Sequence, residues 1–144
     1  MKIPYTKTTL GEEEKQAIAE VIDSGWVVMG DKTREFEEAF AKYVGGKHAV
    51  FVDSGTSALF LSLKYCKFPG LLNIPSLTFT ATAETAIHAG YFINFVDVED
   101  NFCIKDDVNN LSVHLMGNRA KGDALIFDSA HRIEKNDVMD SNAL

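Results

Sequence analysis

From Ala49 onward the hydrophobic pattern of this chain changes period, and that change restricts the possible folds more than any other feature. Upstream, apolar residues recur at helical spacing; downstream, short continuous apolar runs alternate with helical stretches. Ala49-Val-Phe-Val52 is the first such run and suits a strand buried on both faces. Ser57 to Cys66 reads as an apolar helix, Leu71 to Ile74 as a second strand, Thr80 to Ala89 as a helix and Phe92 to Val96 as a third strand. A parallel strand must be re-entered from the end where its neighbour began, and a helix laid on the sheet face is the usual return path. The alternation therefore predicts an α/β fold, a mostly parallel sheet with flanking helices.

Leu111 to Leu115 and Ala124 to Phe127 add two expected strands, the latter running into Asp128. Only Met116 to Asp123 joins them, short of the dozen or so residues that a parallel crossover takes, and the link from Asp97 to Asn110 is also thin. Either these two strands are not adjacent and parallel, or segments that a complete protein would carry are absent from the sequence. Before Ala49, Thr9-Leu-Gly-Glu12 has capping-box spacing and starts a helix with Ala17, Ile18, Val21 and Ile22 on one face, ending at Ser24-Gly25. Phe36, Ala39, Phe40 and Tyr43 form the stripe of a second helix that stops at Gly45-Gly46, and the stripe is expected to be core.

With 144 residues and 46% hydrophobic content, the chain suits one domain spanning residues 1–144. Fourteen basic against 21 acidic residues, a net charge of -7, exclude the basic stripe of a nucleic-acid binder. Cys66 and Cys103 have neither metal-ligand spacing nor the density of a disulfide scaffold, so buried thiols in a reducing compartment are expected. No apolar signal core or membrane-length run occurs, and the expected location is cytoplasmic, away from any membrane.

Ligands of open α/β sheets bind at the carboxyl ends of the strands. Three such ends carry chemistry here. Asp53-Ser-Gly-Thr-Ser57 opens a helix with small residues that let backbone N–H groups close on an anion, although an ordinary cap by Ser54 or Thr56 uses the same residues. Pro75-Ser-Leu-Thr-Phe79 could set an aromatic ring beside a planar cofactor, whereas such a phenylalanine alone is more often core. Asp128 follows an apolar run and is aimed at the mouth of the sheet, where a carboxylate needs a cationic or hydrogen-bonding partner. His114 has two open readings, packing at a strand end or lining the site.

Taken together, Ser54-Gly-Thr-Ser-Ala-Leu59, Pro75-Ser-Leu-Thr-Phe79-Thr-Ala-Thr82, Val113-His-Leu-Met-Gly117 and Phe127-Asp-Ser-Ala-His131 resemble, in order and style, the DegT-type nucleotide-sugar aminotransferases. Leu10-Gly-Glu-Glu, Ser24-Gly-Trp and Phe36-Glu-Glu-Ala-Phe40 are similar to the N-terminal region of that family. The resemblance implies a partial large domain of a fold-type-I enzyme that uses pyridoxal 5'-phosphate. It implies phosphate contacts from Gly55, Thr56 and Ser57, a ring stack from Phe79, a partner for the pyridine nitrogen in Asp128, and a contact on the hydroxyl side from His131. The implied reaction moves an amino group, usually from glutamate, to a keto-sugar nucleotide, in a homo-oligomer of the dimer type.

The family's Schiff-base lysine stands beyond the Asp-x-Ala-His segment, and no such motif follows His131 here, so no catalytic residue is assigned and the chain by itself is expected to be inactive. Lys121 and Lys135 read as solvated and unable to replace it. The family's C-terminal small domain has no counterpart in the sequence either. Other readings are a dehydratase of the same family with histidine in place of the lysine, and a truncated remnant that binds cofactor weakly or serves as a structural partner. A generic nucleotide-binding α/β domain is weaker, because neither G-x-G-x-x-G nor a P-loop is present.

Overall fold

A computed structural model describes residues 7–66, 70–104, 111–120 and 124–135. The chain divides into two compact units, residues 1–36 and 37–144. In the first, helix α1 (Glu12–Ser24) starts later than the Thr9 spacing predicts. Gly11 is the N-cap, and the Glu14 carboxylate accepts its N–H at 2.6 Å, half of a capping box. Three glutamates in the first turn complement the positive end of the helix dipole. The helix ends at Gly25, whose φ of 70° is the left-handed conformation that favours glycine. The predicted face is open to solvent, with Ile18 and Ile22 exposed.

Helix α2 (Asp31–Val44) crosses into the second unit. Its expected aromatic stripe is not core. Phe36 and Tyr43 are exposed, and the buried positions are Ala41 and Val44. Ala41, Val44 and half-buried Phe40 and Glu37 lie at i, i+3, i+4 and i+7, a neighbouring stripe of the same helix, so small residues take the inner face.

The run 49–52 is not a strand among the described residues. Strand identity comes from a ladder partner and from burial, and this run has neither: Val50 and Phe51 are exposed, and the Phe51 N–H donates to the Glu37 carboxylate at 2.7 Å. The remaining alternation forms as expected. Helix α3 (Gly55–Cys66) begins two residues earlier than the apolar pattern suggests; β1 (Leu71–Pro75), α4 (Thr80–Ala89) and β2 (Phe92–Val96) make a βαβ unit in which β1 and β2 pair in parallel, Leu71 opposite Phe92 through Pro75 opposite Val96.

Strands β3 (Leu111–Val113) and β4 (Ile126–Asp128) are adjacent and parallel, which removes the first of the two alternatives raised by the short link. Both strands are shorter than the apolar runs, so the connection grows to residues 114–125, about the dozen that a parallel crossover needs. A single 3₁₀ turn, Leu115–Gly117, begins this connection. The β3 strand also lies against β1, and all three of its residues are buried.

The core sits between β1, β3 and the inner faces of α3 and α4, with Leu63, Leu72, Ile74, Leu111 and Ala86 fully inaccessible. Tyr91 is buried with them and donates its hydroxyl to the Leu63 carbonyl at 2.9 Å, satisfying the one polar atom it brings inside. Neither cysteine is in a disulfide, Cys103 is buried and Cys66 partly so, and burial pushes both thiols up from their ordinary pKa. No helix among the described residues is long and apolar enough to cross a membrane.

Leu63→Ala is expected to cost about 2–5 kcal/mol, because the cavity lies where both helices and β1 meet and cannot collapse easily. Urea denaturation of the two proteins measures it, and a loss below about 1 kcal/mol would place the core elsewhere.

Candidate functional site

Helices α3 and α4 run in the same direction. Their C-terminal halves meet, where the Tyr91 hydroxyl reaches Leu63 and Lys64 Nζ donates to the Ala89 carbonyl at 3.1 Å. Their N-termini therefore both lie toward the end of the sheet where β1 finishes at Pro75. Residues along α3, from Ala58 to Cys66, share a groove with Leu125 and Ile126 at the start of β4, the strand that ends at Asp128. The starts of α3 and α4, with Gly55, Thr56, Ser57 and Phe79, thus lie toward one end of the layers, and Asp128 closes β4.

At the α3 N-terminus the capping reading of the sequence is borne out. Ser54 caps the helix, its Oγ accepting the Ser57 N–H at 3.2 Å and its carbonyl the Ala58 N–H at 3.0 Å. Gly55 and Thr56, exposed in the first turn, present N–H groups along the helix axis, where the dipole favours an anion. A Cβ at Gly55 would meet nothing within 4 Å, so the approach to these amides is open. Asp53 stands beside them, and hydrogen bonds from the hydroxyls of Ser57 and then Ser54 hold its carboxyl below the usual carboxylate range.

Phe79 occupies the N-cap of α4 and is 74% exposed, so it is not core. Phenylalanine offers no cap oxygen; the polar contact in this turn is between the hydroxyls of Thr78 and fully buried Thr82, 2.9 Å apart. Asp128 is half-buried at the end of β4. Its Oδ1 accepts the Ala130 N–H at 3.1 Å, and its carbonyl accepts the His114 N–H at 2.9 Å, which prolongs the β3–β4 ladder. The expected hydrogen-bonding partner is present, and among the described residues no cation pairs with this carboxylate.

His114 packs at the strand end. It is 6% exposed, stacks on Phe127 with centroids 5.3 Å apart, and its Nδ1 accepts the Ala120 N–H at 3.0 Å. His131 is exposed, and its Nδ1 accepts the Met116 N–H at 3.3 Å, which leaves the proton of the neutral ring on Nε2. Met116 adopts φ 52°, unusual for a residue with a side chain, and Gly117 follows at φ 80°. The sequence reading missed Met116 and Arg132 as parts of this end of the sheet. The Met-Gly pair directly after an apolar run was the available signal for a left-handed turn.

Lys135 lies exposed in a turn, and Lys121 lies outside the described residues. A groove of about 730 Å³ lies beside α3 between Val52, Leu61, Tyr65 and Leu125, and none of the predicted site residues lines it. Its walls are mostly apolar, with the side chains of Ser62 and Cys66 among them.

The model of the DegT/DnrJ/EryC1/StrS aminotransferase family matches residues 8–121. The spore coat polysaccharide biosynthesis protein SpsC of Bacillus subtilis is 46% identical over 101 residues, covering 69% of this chain and 26% of its own length. Among solved structures, a candidate sugar aminotransferase of Streptococcus pneumoniae in its PMP form superposes with a TM-score of 0.75 at 25% identity, over 84% of this chain and 34% of that one. The E. coli GDP-4-keto-6-deoxy-D-mannose-3-dehydratase with bound hydrated PLP gives a TM-score of 0.73 at 25% identity, over 81% and 35%. The chain spans about a quarter of the length of the curated relative and about a third of each solved neighbour.

Because the Asp53 carboxyl is depressed in the folded state, its contribution to stability is present above the unfolded aspartate pKa and is lost as pH falls through the folded value. Ser57→Ala removes the largest cause, so the Asp53 carboxyl resonance is expected to titrate at higher pH in that variant. An unchanged NMR midpoint would mean that the Ser57 hydroxyl does not face Asp53 in solution.

Proposed function

Because the chain belongs to the DegT/DnrJ/EryC1/StrS aminotransferase family, we propose that residues 1–144 form part of the cofactor-binding domain of an enzyme that uses pyridoxal 5'-phosphate to move an amino group, from a donor such as glutamate, to a keto-sugar nucleotide. Three features support this reading: the open N-terminus of α3 at Gly55, the exposed ring of Phe79 at the start of α4 and the carboxylate of Asp128 at the end of β4.

The residues present fit the cofactor. The N–H groups of Gly55 and Thr56 suit its phosphate, with Gly55 leaving the approach clear and Ser57, whose own N–H is taken by the Ser54 cap, beside them. The Phe79 ring, free of the core, suits one face of the pyridine. Asp128 has one oxygen tied to Ala130, which leaves the other to hold a proton on the ring nitrogen. His131 offers an Nε2–H donor for the ring hydroxyl, since its Nδ1 already accepts from Met116. When bound, the cofactor supplies an electron sink to the carbon that carries the amino group.

The similarity to the E. coli dehydratase, close to that of the S. pneumoniae protein, supports a second reading in which a related enzyme removes a hydroxyl from the keto-sugar instead. The residue at the position of the family's lysine separates the two. We further read the protein as cytoplasmic and dimeric. Support for association comes from the apolar run Trp26 to Met29, exposed at every position, and from Phe92 and Phe95 on β2, a strand with no second neighbour among the described residues.

Pyridoxamine phosphate is a suitable probe because it is held without a covalent bond to the protein. Its fluorescence is expected to report saturable binding, and Asp128→Asn should weaken that binding roughly tenfold to a hundredfold, the value of a hydrogen bond to a charged group. Equal binding curves would remove Asp128 from the site. In sedimentation velocity the protein is expected to run as an associated species, and a monodisperse monomer at micromolar concentration would count against the dimer.

A further inference from the structure

The turn that carries Asp128 is tied to the neighbouring β3 loop at three points. The Asp128 carbonyl accepts the His114 N–H, His131 Nδ1 accepts the Met116 N–H, and Arg132 Nη1 donates to the Gly117 carbonyl at 3.3 Å. Within the turn, Ala130 holds Asp128 Oδ1 and the Arg132 N–H donates to the Ser129 carbonyl at 3.0 Å. The first two ties use groups already in the ladder or in the predicted site. Arg132 belongs to neither, and nothing in the proposed chemistry uses it.

The guanidinium is held by more than that one bond. Its Nη2 pairs with Glu134 at 2.5 Å, and its side chain is only 20% exposed. Its Nε is buried without a hydrogen-bond partner, a local cost that the contacts of the other two nitrogens must offset. A lysine has one nitrogen and no fork, so it could not hold Gly117 and Glu134 in the same plane. Opposite Arg132, the β3 loop passes through left-handed backbone at Met116 and Gly117, a conformation that persists for Met116 only if its surroundings hold it.

We propose that Arg132 is a positioning residue: bridging Gly117 and Glu134, it locks the Asp128 turn against the β3 loop and so sets the direction of the Asp128 carboxylate. The proposal rests on the reading of Asp128 as the partner of a ring nitrogen. Among the described residues, the charged and titratable side chains on the turn and the facing loop are His114, Arg119, His131, Arg132, Glu134 and Lys135, and only Asp128 itself is assigned to the ligand nitrogen.

The test compares pyridoxamine phosphate binding, and the pH at which the bound ring nitrogen loses its proton as read by ultraviolet absorption, in the wild type, Arg132→Ala, Arg132→Lys, Glu134→Gln and Asp128→Asn. Arg132→Ala is expected to bind on the order of tenfold more weakly and to lower the deprotonation midpoint by about one pH unit, with far-ultraviolet circular dichroism unchanged. Arg132→Lys should fail to restore the midpoint, and Glu134→Gln should shift it in the same direction by less. If the wild type binds and Asp128→Asn weakens binding, but Arg132→Ala keeps the wild-type midpoint, the positioning role falls while the cofactor reading stands. If Arg132→Ala does not fold, a wild-type midpoint in Glu134→Gln overturns the proposal equally. A wild type that takes up no pyridoxamine phosphate removes the cofactor reading and this proposal with it.

Discussion

Parallel pairing of β1 with β2 and of β3 with β4 is the constraint on which the rest of the second unit depends, because each strand must be re-entered from the end where its neighbour began. Between β1 and β2 the return path is α4, which brings its own apolar face and so builds core as it crosses. Between β3 and β4 the return is about a dozen residues, and its described part holds a 3₁₀ turn and passes through left-handed backbone at Met116 and Gly117. The same geometry leaves backbone N–H groups and side chains at the strand ends, and at the helix starts that follow them, outside the layers.

Two local rules are broken in such positions, and both breaks point outward. A phenylalanine at the N-cap of α4 forgoes the side-chain hydrogen bond, worth about 1 kcal/mol, that serine or aspartate would supply there. A methionine in the left-handed region forgoes the freedom that glycine has. Elsewhere the helices are closed in the ordinary way, by glycine at Gly25 and Gly90 and by Ser54 at the start of α3. Departures from local consistency that collect at strand ends and helix starts mark places where something other than stability shaped the residues.

Exposed apolar surface tells a complementary story. Val50 and Phe51 are exposed and outside any described ladder, the apolar face of α1 is open to solvent, and Phe92 and Phe95 stand on a strand with one neighbour among the described residues. These are residues of strand and core type without the surfaces that would cover them. They accord with a chain that spans about a quarter of its curated relative.

By itself the sequence determined the α/β class, the order and type of most elements, and the placing of Asp128 at a strand end, since each follows from local period: continuous apolar runs for buried strands, 3.6-residue spacing for helices, an acid directly after a run. Ser54 as a cap and Gly55 at an open helix start were legible for the same reason, a short motif with one local geometry. Tertiary structure alone decided the rest. Whether Val50 to Val52 pairs depends on a partner strand, not on its own residues. Which stripe of α2 turns inward depends on what it meets, and there Ala41 and Val44 displaced Phe36 and Tyr43. The roles of His114, His131 and Arg132 depend on hydrogen bonds to residues 6 to 15 positions away in sequence, and no local pattern encodes a contact whose two halves are joined only by the parallel return of the chain.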